Sequence, residues 1–489
     1  MPVRIPTPHS SADSDSPESD RDRLARELAI LVDDFDGTIT FDDDVIAAHS
    51  HDEAPQPTSG RALALVRARS VADVQSVVRF AYEHGIPVVP QGARTGLTGG
   101  ANAKENCILL SVKSMDRILE ISELNQTVTV EPGIINQDLK DALRPHGLLY
   151  PPDPGSVGMS TIGGNIATNA GGMCCVKYGV TRDFVRELKV VLPDGTLTRV
   201  GHKTAKGVAG LELAQLFVGS EGTLGVIVEA TLRLIPLPPT PLTAVATFTS
   251  ERDAAETVAA YMGSGYRPSM LEMLDGLTIS MLNELGDFGL DENVGAMLIM
   301  QSDSTTAKKD TEEFTTIADK HNAIDIAFSD NPADNDALVA ARRMVHPANE
   351  LYQRNHGGGQ LIEDICIPRS AMADFFDGLT AIRKNTGVVI GTIAHAGDGN
   401  THPALFFDAD DQASCDRAQS AFEQIVHLGL SLGGTITGEH GVGDLKSKWL
   451  PHELDEGAQN LHLAIKQAID PDSIMNPGGM YHYIASNRP

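Results

Sequence analysis

Between Pro90 and Gly225 the chain carries three glycine-rich segments, and no other feature restricts its fold as strongly. The first is Pro90-Gln91-Gly92-Ala93-Arg94-Thr95-Gly96-Leu97-Thr98-Gly99-Gly100. The second runs from Pro151 to Gly172 with Asp153 as its one charged residue, and the third is Gly219-Ser220-Glu221-Gly222-Thr223-Leu224-Gly225. Glycine reaches backbone angles that other residues avoid, so N–H groups can converge on an anion and a second surface can approach the main chain. One such loop reads as a tight turn. Three of them, set among short β-like runs, imply a large bound cofactor. Neither a Gly-x-Gly-x-x-Gly turn nor a Walker lysine is present, so the Rossmann and P-loop patterns are both unmet.

Length and charge narrow the class. The 489 residues, 41% of them hydrophobic, suffice for two or three domains with substantial cores. No apolar run approaches the ~20 residues that span a bilayer. Lys and Arg number 38 against 66 Asp and Glu, a formal charge of −28. That balance opposes nucleic-acid binding and favours a soluble, self-repelling protein. An anionic substrate stays compatible if the site supplies local positive charge. The five Cys are scattered, with Cys174-Cys175 the one close pair and no Cys-x-x-Cys. A disulfide framework and a Cys-ligated iron–sulfur cluster are thereby excluded, and a cytoplasmic location is expected. Ser10 to Asp22 is rich in Ser and Asp and lacks the cationic and apolar regions of a signal peptide. Residues 1–23 therefore read as a disordered acidic tail.

From Leu24 to Val32 a helix is expected. Short strands and helices then alternate between Ala62 and about Leu234. Ser70 to Phe80 opens with a capping Ser and keeps helical periodicity, leading through Gly85 to a strand at Pro87–Pro90. The proline-rich connector Ile235-Pro236-Leu237-Pro238-Pro239-Thr240-Pro241 cannot continue a helix or a central strand, and marks a domain boundary. A second α/β region runs to about Asp411, and a helical stretch ends in Asn476-Pro477-Gly478-Gly479.

Within that second region lies Ala394-His395-Ala396-Gly397-Asp398-Gly399-Asn400-Thr401-His402, answered later by Gly438-Glu439-His440-Gly441. Apolar runs on both sides make the first cluster a turn between buried strands. Three imidazoles and a carboxylate among glycines suit a divalent ion such as Zn or Mn with a spare base beside it. Three protein ligands leave a coordination position for substrate or water. Histidines hydrogen-bonded within a core or turn are the alternative.

Taken together, these segments resemble the FAD-linked 2-hydroxyacid dehydrogenases of the vanillyl-alcohol-oxidase type, of the glycolate oxidase flavoprotein and D-lactate dehydrogenase kind. The likeness covers roughly residues 45 to 482. It implies an α+β protein with a two-subdomain FAD-binding domain over 24–238. A ferredoxin-like α/β cap with the metal site would follow over 239–430, and a C-terminal helical segment over 431–489 would return to the FAD domain. By that resemblance Pro90, Gly92, Arg94, Thr95, Gly96, Leu97, Gly99 and Gly100 wrap the FAD pyrophosphate. Pro152, Asp153, Ser156, Gly158, Gly163, Gly164, Ala167, Thr168, Asn169, Gly171 and Gly172, with Gly179, lie along the flavin and ribityl. Glu221, Gly222, Gly225 and Ile227 close over the adenine side, and Asn476 belongs to the same site. No His or Cys stands at an attachment point, so the FAD is expected to be non-covalent.

The resemblance also divides the polar cluster: His395, His402 and Glu439 hold the ion, and His440 is the base. In Ala341-Arg342-Arg343-Met344 the substrate-carboxylate arginine falls on Arg342, whose planar fork suits bidentate recognition. On the residues alone Arg342 reads as a surface helix arginine. Two departures stand out. Gly479 replaces a lysine that often ends the family's Asn-Pro-Gly motif. Ile362 stands where relatives acting on 2-hydroxyglutarate carry lysine, with Glu363 adding negative charge if it faces the pocket. A small 2-hydroxy monocarboxylate is therefore the expected substrate. An electron acceptor (quinone, electron-transfer protein, partner subunit or oxygen) is implied, and a homodimer is the candidate assembly. A rival comes from Ile30 to Thr38, whose Asp34-Phe35-Asp36-Gly37-Thr38 imitates an aspartyl-nucleophile phosphatase, as Gly397-Asp398-Gly399-Asn400 imitates that family's late metal loop. It fails where Thr401-His402 replaces a further carboxylate, and it leaves the glycine loops unused.

Overall fold

A computed structural model describes residues 20–30, 35–54, 59–286 and 288–486. The first sheet contains strands β1 (Thr38–Thr40), β2 (Ala64–Arg67), β3 (Val88–Gln91) and β4 (Ile108–Ser111), in the order β1-β2-β4-β3. β2, β4 and β3 run parallel, while β1 lies antiparallel on the β2 edge. The crossover from β2 to β3 is the helix Val71–His84. Ser70 caps it, with Asp73 completing a capping box, and Gly85 ends it in the left-handed conformation. Its Val74, Val77, Val78 and Ala81 repeat at helical spacing and pack on Val66, Val88, Ile108 and Leu110.

A second, antiparallel sheet follows in the order β5-β6-β10-β8-β9: β5 (Ile118–Ser122), β6 (Thr127–Val130), β8 (Val185–Val191), β9 (Leu197–Gly201) and β10 (Val226–Arg233). Between them β7 (Leu148–Leu149) pairs with β11 (Ile235–Pro236), so the proline connector opens as a two-residue edge strand before the chain leaves.

Beyond the connector a larger sheet orders β15-β12-β14-β13-β18-β19-β16. Its strands are β12 (Leu242–Phe248), β13 (Met270–Asp275), β14 (Ala296–Ser302), β15 (Asp325–Ser329), β16 (Gly358–Ile362), β18 (Val389–His395) and β19 (Asn400–Asp408), and β17 (Ile365–Cys366) pairs with β19. Strands β12 to β15 with the helices Glu251–Gly263 and Ala307–Lys320 make a ferredoxin-like βαββαβ unit. Alternation along β13 sends Leu271 and Met273 to one core and Met270 and Leu274 to the other. The second face packs the helices Gly276–Leu285 and Val345–Asn355 and also Met173, just after the long glycine segment. Lys177 and Tyr178 add an ion pair and a hydrogen bond to Asp303 across the same boundary.

The last segment touches all three sheets. Trp449 and Leu450 join the large-sheet core, Ile465 and Ile469 of the helix Glu456–Ile469 pack on the second, and Met475 bridges Val88 of the first. Small corrections apply to the expected elements. The first helix is Asp20–Ile30, so residues 20–23 belong to it and not to a tail; residues 1–19 and 31–34 lie outside the described residues. Strand β3 starts one residue later than expected. Among the described residues no helix is long and apolar enough to cross a membrane.

Candidate active site

One cavity of about 710 Å³ runs between the first two sheets and the large sheet. Its first wall is backbone. Pro90 of β3 and Gly92, Arg94, Thr95, Gly96, Leu97 and Gly100 after it run along the cavity, with Ser156, Gly163, Gly164, Ala167, Thr168 and Gly171 from the long segment, Glu221, Gly222 and Gly225 from the third, and Ile227 of β10. A Cβ on Gly92 would stand 2.3 Å from Thr161 Oγ1, and Gly222 sits at φ +71 against the Pro90 ring. At both positions only glycine fits. Buried Ser160 Oγ and Asn165 Nδ2 line the cavity without a protein partner among the described residues. Polar atoms in that condition call for a hydrogen-bonding ligand, so the wall suits the expected FAD.

Eight of the expected cofactor residues do not line this wall. Asp153 accepts from Cys174 N at 2.9 Å, and Gly172 leaves room for that contact. Asn169 ends the helix Ile162–Thr168 in the left-handed conformation and accepts from Arg182 N. Gly179 packs on Asp183, and Gly99 lies beside Asn102 and Asp444. Asn476 Nδ2 donates to Gly100 O and Glu221 O, both at 2.8 Å, which ties the first loop to the third. Pro152 O accepts from Asn136, and Gly158 faces open space. Glu221 lines the cavity, yet its oxygens hold the turn after His440 by accepting from Val442 N and Gly443 N. Burial pushes that carboxyl up to about 7.

The opposite wall is made of side chains. Strands β18 and β19 form the expected hairpin, with His395 across from Asn400 and His402 across from Ile393. The two-residue period of a strand puts both imidazoles on one face. His395 Nε2 and His402 Nε2 lie 3.1 and 3.2 Å from Glu439 Oε1. Three donor atoms meeting within 4.8 Å of one another form a set that fits a divalent ion. Burial disfavours charge on His395, yet Glu272 and Glu439 carry its imidazole well above the ordinary value. Glu439 goes the other way: His395 and His402 outweigh its burial and hold it well below the carboxylate range. His440 stacks on His402 with centroids 4.9 Å apart. Burial pushes it down to about 4 against the opposing pull of Asp364, so at neutral pH it is an uncharged imidazole.

Four residues that spacing alone leaves unassigned to the site organise this wall. Glu272 on β13 is wholly buried and accepts from His395 Nδ1 at 2.9 Å and from Arg342 Nε and Nη2 at 2.8 Å. Asp364 Oδ2 accepts from Thr437 Oγ1 and the N–H groups of Gly438, Glu439 and His440 at 2.7 to 3.0 Å. That carboxylate fixes the loop which presents both Glu439 and His440. Lys446 pairs with Glu363 at 2.8 Å, both fully buried. The signal was present as charges inside apolar runs, in Leu271-Glu272-Met273-Leu274 and Ile362-Glu363-Asp364-Ile365.

Two expectations change. Glu363 faces Lys446, is absent from the cavity lining and cannot repel a substrate there. Arg342 lies in the last turn of the helix Pro332–Arg343 and is buried, so it is no surface arginine, but its Nε/Nη2 fork engages Glu272. Ile362 and Arg343 both line the cavity. The phosphatase rival loses its geometry, because Asp36 and Asp398 line two other, separate cavities; Asp34 lies outside the described residues.

Comparison with known proteins identifies the family and the fold. Residues 62–201 match an FAD binding domain, and residues 237–480 match the C-terminal domain of FAD-linked oxidases. Glycolate oxidase subunit GlcD of Bacillus subtilis is 38% identical over 456 residues, which span 92% of this chain and 96% of that protein. The mitochondrial D-lactate dehydrogenase (cytochrome) of Arabidopsis thaliana is 35% identical over 84% of this chain and 72% of its own. Among solved structures, 4-ethylphenol oxidase from Gulosibacter chungangensis superimposes with a TM-score of 0.73 at 18% identity, covering 95% of this chain and 98% of that one. The fold is thus of the vanillyl-alcohol-oxidase type.

Proposed function

This chain belongs to the FAD-linked oxidases, and we propose that it oxidises a small D-2-hydroxy monocarboxylate, of the D-lactate or glycolate kind, to the 2-keto acid. One observation carries the reading: the glycine-loop wall and the His395, His402, Glu439, His440 and Arg342 set share a single cavity. When bound, FAD supplies a two-electron acceptor for the hydride leaving C2, and a divalent ion, Zn or Mn, supplies a Lewis acid for the hydroxyl.

The protein's own groups do the rest. His395, His402 and Glu439 are the ligands for the ion, and Glu272 orients His395 through its Nδ1. His440 is uncharged, which leaves an imidazole nitrogen able to take the hydroxyl proton as the C2–O bond gains double-bond character. Arg342 presents the guanidinium edge not engaged by Glu272 to the C1 carboxylate. Met173, Val345, Ile362 and Ile393 make an apolar surround suited to hydrogen or a short alkyl group at C2.

A 2-hydroxy dicarboxylate is favoured by one feature, since Arg343 also lines the cavity and makes no ion pair among the described residues. Against it, a distal carboxylate lodged beside Ile362 lacks a partner, which costs several kcal/mol in a closed site. The deciding experiment is a substrate panel with an artificial electron acceptor, preceded by a visible spectrum with flavin absorption near ~450 nm. D-lactate, glycolate or D-2-hydroxybutyrate should exceed D-2-hydroxyglutarate in kcat/KM by about 100-fold, on the order of 3 kcal/mol. D-2-hydroxyglutarate as the best substrate would overturn the monocarboxylate reading.

A further inference from the structure

A second cavity, of about 840 Å³, opens on the other side of the Gly92-Ala93-Arg94 turn. It lies at the carboxyl edge of the parallel strands: Arg67 closes β2, Ser111 closes β4, and Gly92 follows the end of β3. Open α/β sheets take ligands in the crevice outside those strand ends. The chain carries −28 overall, yet this cleft gathers Arg67, Arg69, Arg94, Lys113 and Arg117 against only Asp36 and Asp116.

Part of that positive charge is unmatched. Arg117 is paired with Glu131 through contacts of 2.7 and 3.1 Å. Arg94 donates to the carbonyls of Ala48 and His51, which anchors the guanidinium, and the carboxylates of Glu53 and Asp52 offset part of its charge. Among the described residues the Arg67 side chain reaches only His49, Nη2 to Nε2 at 3.4 Å. Among the described residues the side chains of Arg69 and Lys113 have no ion pair. His49 registers the result: burial lowers its affinity for a proton, and the fields of Arg94, Arg67 and Lys113 lower it further. All five cations line this one cleft. Like charges gathered in a cleft repel one another and focus potential for an anion.

We infer that this cleft binds a small phosphate-bearing anion, a phosphomonoester or diphosphate, separately from the FAD site. Guanidinium forks and an ammonium approaching from several strand ends match a dianion with many acceptor oxygens better than a planar carboxylate. The exposed Ser114 hydroxyl supplies a further donor at the rim. The inference stands apart from the proposed reaction.

Titration of the FAD-loaded protein with inorganic pyrophosphate at constant ionic strength, followed by calorimetry, should reveal one saturable site, with sulfate as the control for general screening. Arg67→Gln combined with Lys113→Gln should weaken binding by at least about tenfold while FAD content and turnover hold. Lys113→Gln alone, an exposed change that spares the fold, should weaken it by a smaller factor. No saturation at millimolar pyrophosphate, or equal affinity in both variants, overturns the inference. So does binding that appears only after FAD is stripped, because the cleft would then be the phosphate end of the cofactor site.

Discussion

The wall carrying Gly92 to Gly100, Gly163-Gly164 and Gly222 offers main chain to the cavity, whereas the facing wall offers the side chains of His395, His402, Glu439, His440 and Arg342. The first needs close approach and N–H groups, so its requirements are met within short stretches of sequence. The second needs buried charge, and each charge there needs a partner from another segment. His395 on β18 leans on Glu272 of β13, which also holds Arg342, while Asp364 after β16 holds the loop of Glu439 and His440. A loop can be built locally; a compensated charge network cannot. The walls also touch. A Cβ on Gly171 would stand 2.5 Å from Glu439 Oε2.

If the walls are chemically separate, removing a metal ligand should abolish turnover and leave the flavin in place. His402→Ala or Glu439→Ala should lose the ion and reduce kcat by roughly 10³-fold or more, with the FAD spectrum kept. Full activity after exhaustive chelation, with metal analysis confirming removal, would falsify a catalytic ion. Next in size is His440→Asn, where flavin reduction by substrate in stopped flow should slow by about 10²- to 10⁴-fold with little change in substrate binding. Wild-type reduction would move the base elsewhere.

Glu272→Gln probes the partner rule. It keeps the volume but removes the negative charge between His395 and Arg342. Metal affinity should fall by roughly 10- to 100-fold and KM should rise, both read against an unchanged FAD content. Unaltered metal affinity and KM would make Glu272 a bystander. The smallest effect expected is the one that crosses between the walls. Gly171→Ala pushes a methyl group against Glu439, and should lower metal occupancy and kcat by about tenfold while FAD stays bound. If it lowers FAD retention instead, Gly171 serves only the cofactor wall.

The chain by itself determined the elements whose causes are local. Ser70 and Gly85 bound a helix because a cap and a left-handed glycine are properties of a few adjacent residues. The hairpin of His395 and His402 was legible for the same reason, since the strand period sets both on one face. Glycine at 92 and 222 announced a close approach, although which atoms approach came only from the folded chain. Tertiary structure alone decided which charges meet. Arg342 and Glu272 lie 70 positions apart, Lys446 and Glu363 lie 83 apart, and both pairs are buried. It also turned Glu363 away from the cavity, and placed Asn169 and Asn476 behind the glycine-loop wall and not on it. A charge within an apolar run declares that it needs a partner, but the partner's identity depends on sheet order, because only the assembled strands bring β13 beside β18 and the Glu439 loop beside Asp364.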